Sequence, residues 1–224
     1  MGTRARSGLI YGGLMLGAAW VGAGFFGALL LVIYVQGARE MLALTRRWGP
    51  LGSALGLIGL ALSLGSLLAL RLEGGALVVV KILVSAFVFD TASYVGGRTI
   101  GGPKLVPRLS PNKTVAGLVC GLFSLGVLAF LGHVFQQDQA LQSWGQGWHH
   151  GSQVAYALLG HGVLVHGLLH GSFLLSGDLL ISALKRANGV KDASNLIPGH
   201  GGILDRIDSL LLISVLIFIG QVHI

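Results

Sequence analysis

The sequence predicts an all-α, polytopic integral membrane protein: about six transmembrane helices, with two polar segments meeting at one side of the bilayer. Three observations predict it. Of the 224 residues, 53% are hydrophobic and only 10% are charged, where a soluble domain carries about 25% charged residues, and the mean hydropathy is +0.79. Apolar runs recur at lengths close to the roughly 20 residues that carry a helix across a bilayer core of about 30 Å. The charge, finally, is confined to short segments between those runs. Alternating strand patterns are absent, which argues against a barrel, and backbone groups inside a bilayer have to be satisfied within their own segment, which favours helices.

The runs fall at 9–35, 51–70, 76–94, 114–135, 154–176 and 210–222. The first is long enough to span and too long for a typical signal-peptide core, so no cleavable signal is expected. The last is short. The pairs Gly13/Gly17, Gly52/Gly56 and Gly117/Gly121 have the four-residue spacing that lets helices approach closely. Cys120, the single cysteine, lies inside an apolar run and reads as a small packing residue. With no fixed repeat and no linker, one membrane domain over 1–224 is the simplest division.

Loop charge then orients the runs. Segment 36–50 has Arg39, Arg46 and Arg47 against Glu40; segment 95–113 has Arg98, Lys104, Arg108 and Lys113 with no acid; segment 136–153 has Asp138 and no Lys or Arg. The positive-inside rule places the first two, with 177–209 and its Lys185, Arg186, Lys191 and Arg206, in the cytoplasm and 136–153 outside. Six spans would then put both termini outside, an assignment that Arg4 and Arg6 oppose. A net charge of +7 on a nucleic-acid binder would form a basic face on a soluble fold. Here topology-setting loop charge accounts for it at least as well as anion recruitment, and no nucleic-acid partner is expected.

Segment 177–209 holds the informative residues: Asp178, Ser182, Lys185-Arg186, Lys191-Asp192, Pro198-Gly199-His200-Gly201-Gly202 and Asp205-Arg206-Ile207-Asp208. Such charges are costly beside a membrane and usually mark a site, although a solvated loop of self-paired charges is the plainer alternative. The residue types suit phosphoryl-type transfer. Carboxylates supply hard oxygens to Mg²⁺, the metal neutralises phosphate charge, and glycine backbone approaches phosphate closely. Asp205 and Asp208, three apart, would share one face of a helix that starts near Leu204 and runs into the last span. The dipole of that helix would favour phosphate at its start.

The stretch from Ser182 to Asp208 resembles the signature of phosphatidate cytidylyltransferases, S-x-x-K-R-x4-K-D-x4-[LIF]-P-x-H-G-G-x-x-D-R-x-D, at every fixed position. A second block is similar to the same family: Asp90, Tyr94, Gly97-Arg98, Gly101, Lys104-Leu105, Pro107, Ser110-Pro111-Asn112-Lys113-Thr114 and Gly117. It departs at Ser93, at Gly102-Pro103 where a Lys-His-like pair is usual, and at Val115-Ala116 where an aromatic and Glu or Gln are usual. The resemblance covers 75–224, the expected catalytic region; 1–74 matches in hydropathy alone.

The resemblance implies that CTP and phosphatidate react to CDP-diacylglycerol and pyrophosphate, with Mg²⁺ as cofactor. It also implies a place in the bacterial inner membrane, with the site facing the cytoplasm. Asp178 and Asp205 are the first candidates for metal ligands, with Asp192 and Asp208 next; salt bridging to nearby Lys and Arg is the structural alternative for each. Lys185, Arg186, Lys191 and Arg206 are candidates to neutralise phosphate. His200 would bond phosphate or a carboxylate, or serve as a structural cap. Asp90 would coordinate metal or pair with a base, and Tyr94 would contact substrate or anchor the interface. Lys104, Ser110, Lys113, Thr114, Ser182, Gly201 and Gly202 complete the expected nucleotide and lipid-phosphate contacts. Lys81 reads as snorkelling. His166 and His170 would share a helix face, but no acidic or cysteine partner accompanies them. Family members can be homodimers, and no residue here decides that point. Competing readings are a transferase acting on another lipid acceptor, an inactive scaffold relative, and a transporter. The last would place charges at mid-depth in several spans, whereas here they gather in two segments.

Overall fold

The structure is a computed structural model that describes residues 3–135, 162–197 and 201–222. They are mostly helical, as expected. Helices α1 (Thr3–Val21) and α2 (Ala23–Thr45) are followed by a short 3-10 turn, Arg46–Trp48, and by α3 (Gly49–Thr99). Strands β1 (Lys104–Val106) and β2 (Ser110–Thr114) form an antiparallel hairpin with Lys104 opposite Thr114. Then come α4 (Val115–Phe135), α5 (Gly162–Ala187), the four-residue α6 (Leu204–Ile207) and α7 (Leu210–Val222). Two helical stretches among the described residues, Ala23–Thr99 and Gly167–Ala187, are long and apolar enough to cross a membrane.

Three expectations are corrected. First, the run 9–35 is not one helix. It breaks at Gly22, and α1 folds back along α2. Ala19 O accepts a 2.7 Å hydrogen bond from Arg71 Nε, while Tyr11 lies within electrostatic reach of Arg206 and Asp208. Glu40 bonds to Leu204, so Tyr11 and Glu40 both lie toward the α6 end of the molecule. A continuous helix would hold them about 43 Å apart at 1.5 Å per residue. The start of α1 therefore points to the end that carries the polar segments, which is where the charge rule wants Arg4 and Arg6. Second, α5 continues to Ala187, so Asp178, Ser182, Lys185 and Arg186 ride on a helix, not on a loop. Residues 154–161 of the run expected there lie outside the described residues. Third, the segment 95–113 contributes the β1–β2 hairpin to an otherwise helical chain.

The runs 51–70 and 76–94 are the two arms of α3, separated at Gly75 (φ 77, ψ −175), a conformation essentially confined to glycine. The arms run in opposite directions. The α2–α3 turn is tied to the end of α5, where Asn188 Nδ2 donates to Leu44 O at 2.6 Å, and Asp90 on the second arm reaches Asp178. The second arm packs closely on α4. A Cβ on Gly117 would lie 2.6 Å from Ser93 O, so the spacing at Gly117/Gly121 does mark a helix crossing. Gly56 likewise lies against Met41 of α2, whereas Gly13 and Gly17 meet nothing within 4 Å. Phe26, Leu60, Leu67, Leu70, Ile82 and Ile213 form the enclosed centre, and the Ser63 and Ser214 hydroxyls meet at 3.1 Å between α3 and α7. Large apolar side chains such as Leu31, Phe87 and Phe123 face outward, as suits a chain solvated by lipid, where helix association rests on packing and polar contacts rather than on water exclusion.

Candidate active site

The last turns of α5 place Asp178, Ser182 and Lys185 along one face at helical spacing. Ser182 Oγ donates to Asp178 Oδ1 at 3.2 Å. Lys113 Nζ, at the end of β2, pairs with Asp178 Oδ2. Gly177 brings this helix flush against the turn between α6 and α7: a Cβ there would stand 2.3 Å from Asp208 O. Asp178 and Asp208 are thereby set side by side. Burial first, and then the neighbouring Asp178 carboxylate, push the Asp208 carboxyl above the ordinary carboxylate range. Asp90, from α3, lies within electrostatic reach of Asp178, Lys113 and Arg206. Three carboxylates from distant parts of the chain thus meet beside cationic groups.

Asp205 has a different place. Its Oδ1 pairs with Lys185 Nζ at 2.5 Å, and both side chains are buried. Its Oδ2 accepts the Ala193 and Gly202 amides, each at 2.8 Å. Gly201 (φ 81) closes a bridge to Ile197, and a Cβ on it would lie 2.6 Å from Asp205 Oδ2. The carboxylate is the post around which the loop winds, and the glycines are the residues that let backbone come so near. Asp192 and Lys191 are exposed, with Asp192 Cβ beside Gly201. Exposed Arg186 ties the hairpin to the loop, donating to Leu109 O and Val190 O at 3.2 Å each. Arg206 Nε is enclosed and has no hydrogen-bond partner among the described residues. His200 lies outside the described residues.

The second block divides between surface and framework. Buried Thr114 caps α4, its Oγ1 accepting the Gly117 amide at 3.1 Å. That bond gives it a structural role beside the phosphate contact expected of it. Tyr94 is 63% exposed and accepts from Arg98 Nη1 at 2.9 Å. Lys104 is exposed on β1, and Ser110 is half-buried at the start of β2. No group of three or more His, Cys, Asp or Glu closes tightly enough to hold a metal ion among the described residues. Of the expected set, Asp178 and Asp208 lie side by side, Asp205 is bonded within the loop, and Asp192 is exposed beside Gly201.

Glu40 is the residue that sequence reasoning passed over. It counted only as the lone acid of a basic loop. It is 6% exposed and accepts from Ser194 Oγ, Ile203 N and Leu204 N. Its one sequence signal was isolation: a single Glu among Arg39, Arg46 and Arg47, with no acid elsewhere in that segment.

The Cytidylyltransferase family profile matches residues 52–222. The chain is 36% identical over 149 residues to the uncharacterized protein YnbB of Escherichia coli (strain K12), covering 66% of this chain and 43% of that one. It is 35% identical over 196 residues to the phosphatidate cytidylyltransferase of Brucella suis biovar 1 (strain 1330), covering 86% and 66%. With the phosphatidate cytidylyltransferase of Rickettsia conorii (strain ATCC VR-613 / Malish 7) it shares 33% identity over 135 residues, covering 60% and 54%. The chain therefore spans 43% to 66% of the length of these relatives.

Proposed function

The chain belongs to the cytidylyltransferase family, and on that premise we propose that it transfers the cytidylyl group of CTP to phosphatidate in a membrane. A phosphatidate oxygen attacks the α-phosphorus of CTP. A new P–O bond forms as the bond to the pyrophosphate oxygen breaks, leaving CDP-diacylglycerol and free pyrophosphate. One observation carries the reading: Asp90, Asp178 and Asp208 converge from three chain segments beside Lys113, Lys185 and Arg206. Opposed charges of this kind at the end of apolar helices suit a reaction between a nucleotide triphosphate and a lipid phosphate. The nucleotide enters from water and the lipid from the bilayer, so the site belongs at the interface, and we assign it to the cytoplasmic face of the bacterial inner membrane.

The donor set is of the chemical type that Mg²⁺ takes, and its carboxylates, which do not close into a group of three among the described residues, would have to draw together around the ion. Its oxygens are hard carboxylate ligands, and Asp178 Oδ2 already binds a cation, the Lys113 ammonium. Asp178 and Asp208, with Asp90 beside them, are the residues that would hold the ion. Asp205 would have to release Oδ1 from Lys185 to join them. When bound, the ion supplies charge neutralisation on the triphosphate oxygens. The chain's own cations do the rest. Arg206, whose enclosed Nε has no hydrogen-bond partner among the described residues, would bind phosphate, and Lys185 and Lys113 would offset charge beside Asp208 and Asp178. A phosphatidate oxygen is already anionic near neutral pH, so the attack needs no general base.

The test is direct. Purified protein in detergent is given CTP labelled at the α-phosphate, phosphatidate and Mg²⁺. Label is expected in lipid, lost with EDTA and regained with excess Mg²⁺. Folded protein that labels neither phosphatidate nor any other lipid phosphate overturns the reading; labelling of a different acceptor alone reassigns the substrate.

A further inference from the structure

We propose that Glu40 is a positioning residue for this reaction, holding the loop residues 193–197 and 201–204 in register with the site from outside the family match. The inference rests on the function proposed above. Glu40 sits on α2, before residue 52, where the family match begins. Its carboxylate is buried, yet among the described residues it forms no ion pair, since those within 4 Å are Lys113–Asp178 and Lys185–Asp205. The neighbouring arginines are engaged elsewhere: Arg39 Nη1 with Gln36 Oε1, and Arg47 Nη1 with Ala187 O. Among the described residues its hydrogen-bond donors come from the loop. Ser194 Oγ donates to Oε1 at 2.6 Å, Ile203 N to Oε1 at 3.0 Å and Leu204 N to Oε2 at 2.8 Å. Hydrogen bonds to an ionised acceptor are roughly twice as strong as neutral ones. The backbone lies directly on the carboxylate, for a Cβ on Gly202 would come within 2.5 Å of Oε2.

The loop is therefore suspended between two carboxylates. Asp205 takes the amides of Ala193 and Gly202, and Glu40 takes Ser194, Ile203 just before α6 and Leu204 at its start. Arg206 and Asp208 follow directly from Leu204, so a shift in the Leu204 amide is carried into both. Displacements on the order of 1 Å, made far from the reacting atoms, cost rates on the order of 100-fold. Glu40 touches no substrate; it acts through the loop.

The experiment compares wild type, Glu40→Gln and Ser194→Ala in the full chain, reading steady-state kinetics together with amide hydrogen exchange. The Gln variant keeps one acceptor oxygen but turns an NH₂ toward an amide donor. Its kcat is expected to fall on the order of 10- to 100-fold, with KM for CTP and for phosphatidate within about threefold of wild type. Exchange should quicken in peptides covering 193–204 and stay unchanged in α3 and α4. Ser194→Ala, which leaves the carboxylate in place, should show a smaller change of the same kind, and the double variant should be little worse than Glu40→Gln alone. Wild-type kcat and loop exchange in Glu40→Gln overturn the proposal. If Glu40→Gln instead loosens every helix, Ser194→Ala decides, and unchanged loop exchange there overturns it as well. A wild-type chain that makes no labelled lipid sinks the reaction itself, and exchange alone then decides whether Glu40 anchors the loop.

Discussion

Asp205 and Asp178 are interchangeable in a motif and distinct in space. Asp205 is buried, accepts two loop amides and pairs with buried Lys185. Asp178 is a quarter exposed and faces Asp208 and Asp90. Removing one member of a buried pair strands the other, at a cost of about 3–5 kcal/mol. Asp205→Asn is therefore expected to lower the melting temperature and turnover together. Asp178→Asn should lose turnover by more than about 100-fold while melting close to wild type. Thermal melts and CTP turnover in one detergent check the contrast; an Asp205→Asn protein as stable as wild type would remove Asp205 from the framework. The motif singled out these side chains but not which of them build the loop, because hydrogen-bond partners such as Ala193 and Gly202 are backbone groups with no signature of their own.

At the scale of elements, the site depends on how closely helices approach. Gly177 lets α5 rest on the carbonyls of Asp208 and Ser209, both within 3.3 Å of where a Cβ would stand. Gly177→Ala should part Asp178 from Asp208, lower stability by about 1–3 kcal/mol through overpacking and reduce turnover at least about tenfold. Gly13→Ala is the control: nothing lies within 4 Å of that position, and alanine is the better helix former. Equal effects from the two substitutions, read in the same melt and turnover assays, would contradict the packing described here. The last helix at 210–222 and the helix start at Leu204 were legible in hydropathy and spacing, but the single helix expected from Leu204 into the last span is interrupted at Asp208 and Ser209, so Asp205 and Asp208 do not share one helix face. The extension of α5 through Asp178 to Ala187 was not legible, because polar residues on a helix face that looks into a site read, in a linear window, as a loop.

For the whole molecule, the fold-back at Gly22 sets the topology. The start of α1 lies toward the polar end and α7 leads away from it. In a chain whose lone Cys120 is replaced by Ser, Thr3→Cys should react with an impermeant thiol reagent from the same membrane face as Lys191→Cys. Val222→Cys should react from the opposite face. Labelling of Thr3→Cys and Val222→Cys from one common face would refute the antiparallel α1–α2 pair.

From its order of residues alone, this chain was determined to be a mostly helical, membrane-type protein with two polar stretches resembling cytidylyltransferases. Those are properties of composition, local periodicity and motif spacing, and each is readable within a short window. Only the tertiary structure decided that 9–35 doubles back, that Asp205 organises a loop while Asp178 and Asp208 face one another, and that Glu40 anchors that loop from α2. Each of these is a contact between residues far apart in the chain, as far as the 164 positions separating Glu40 from Leu204. Such contacts are selected by packing and hydrogen-bond geometry, which no local pattern encodes.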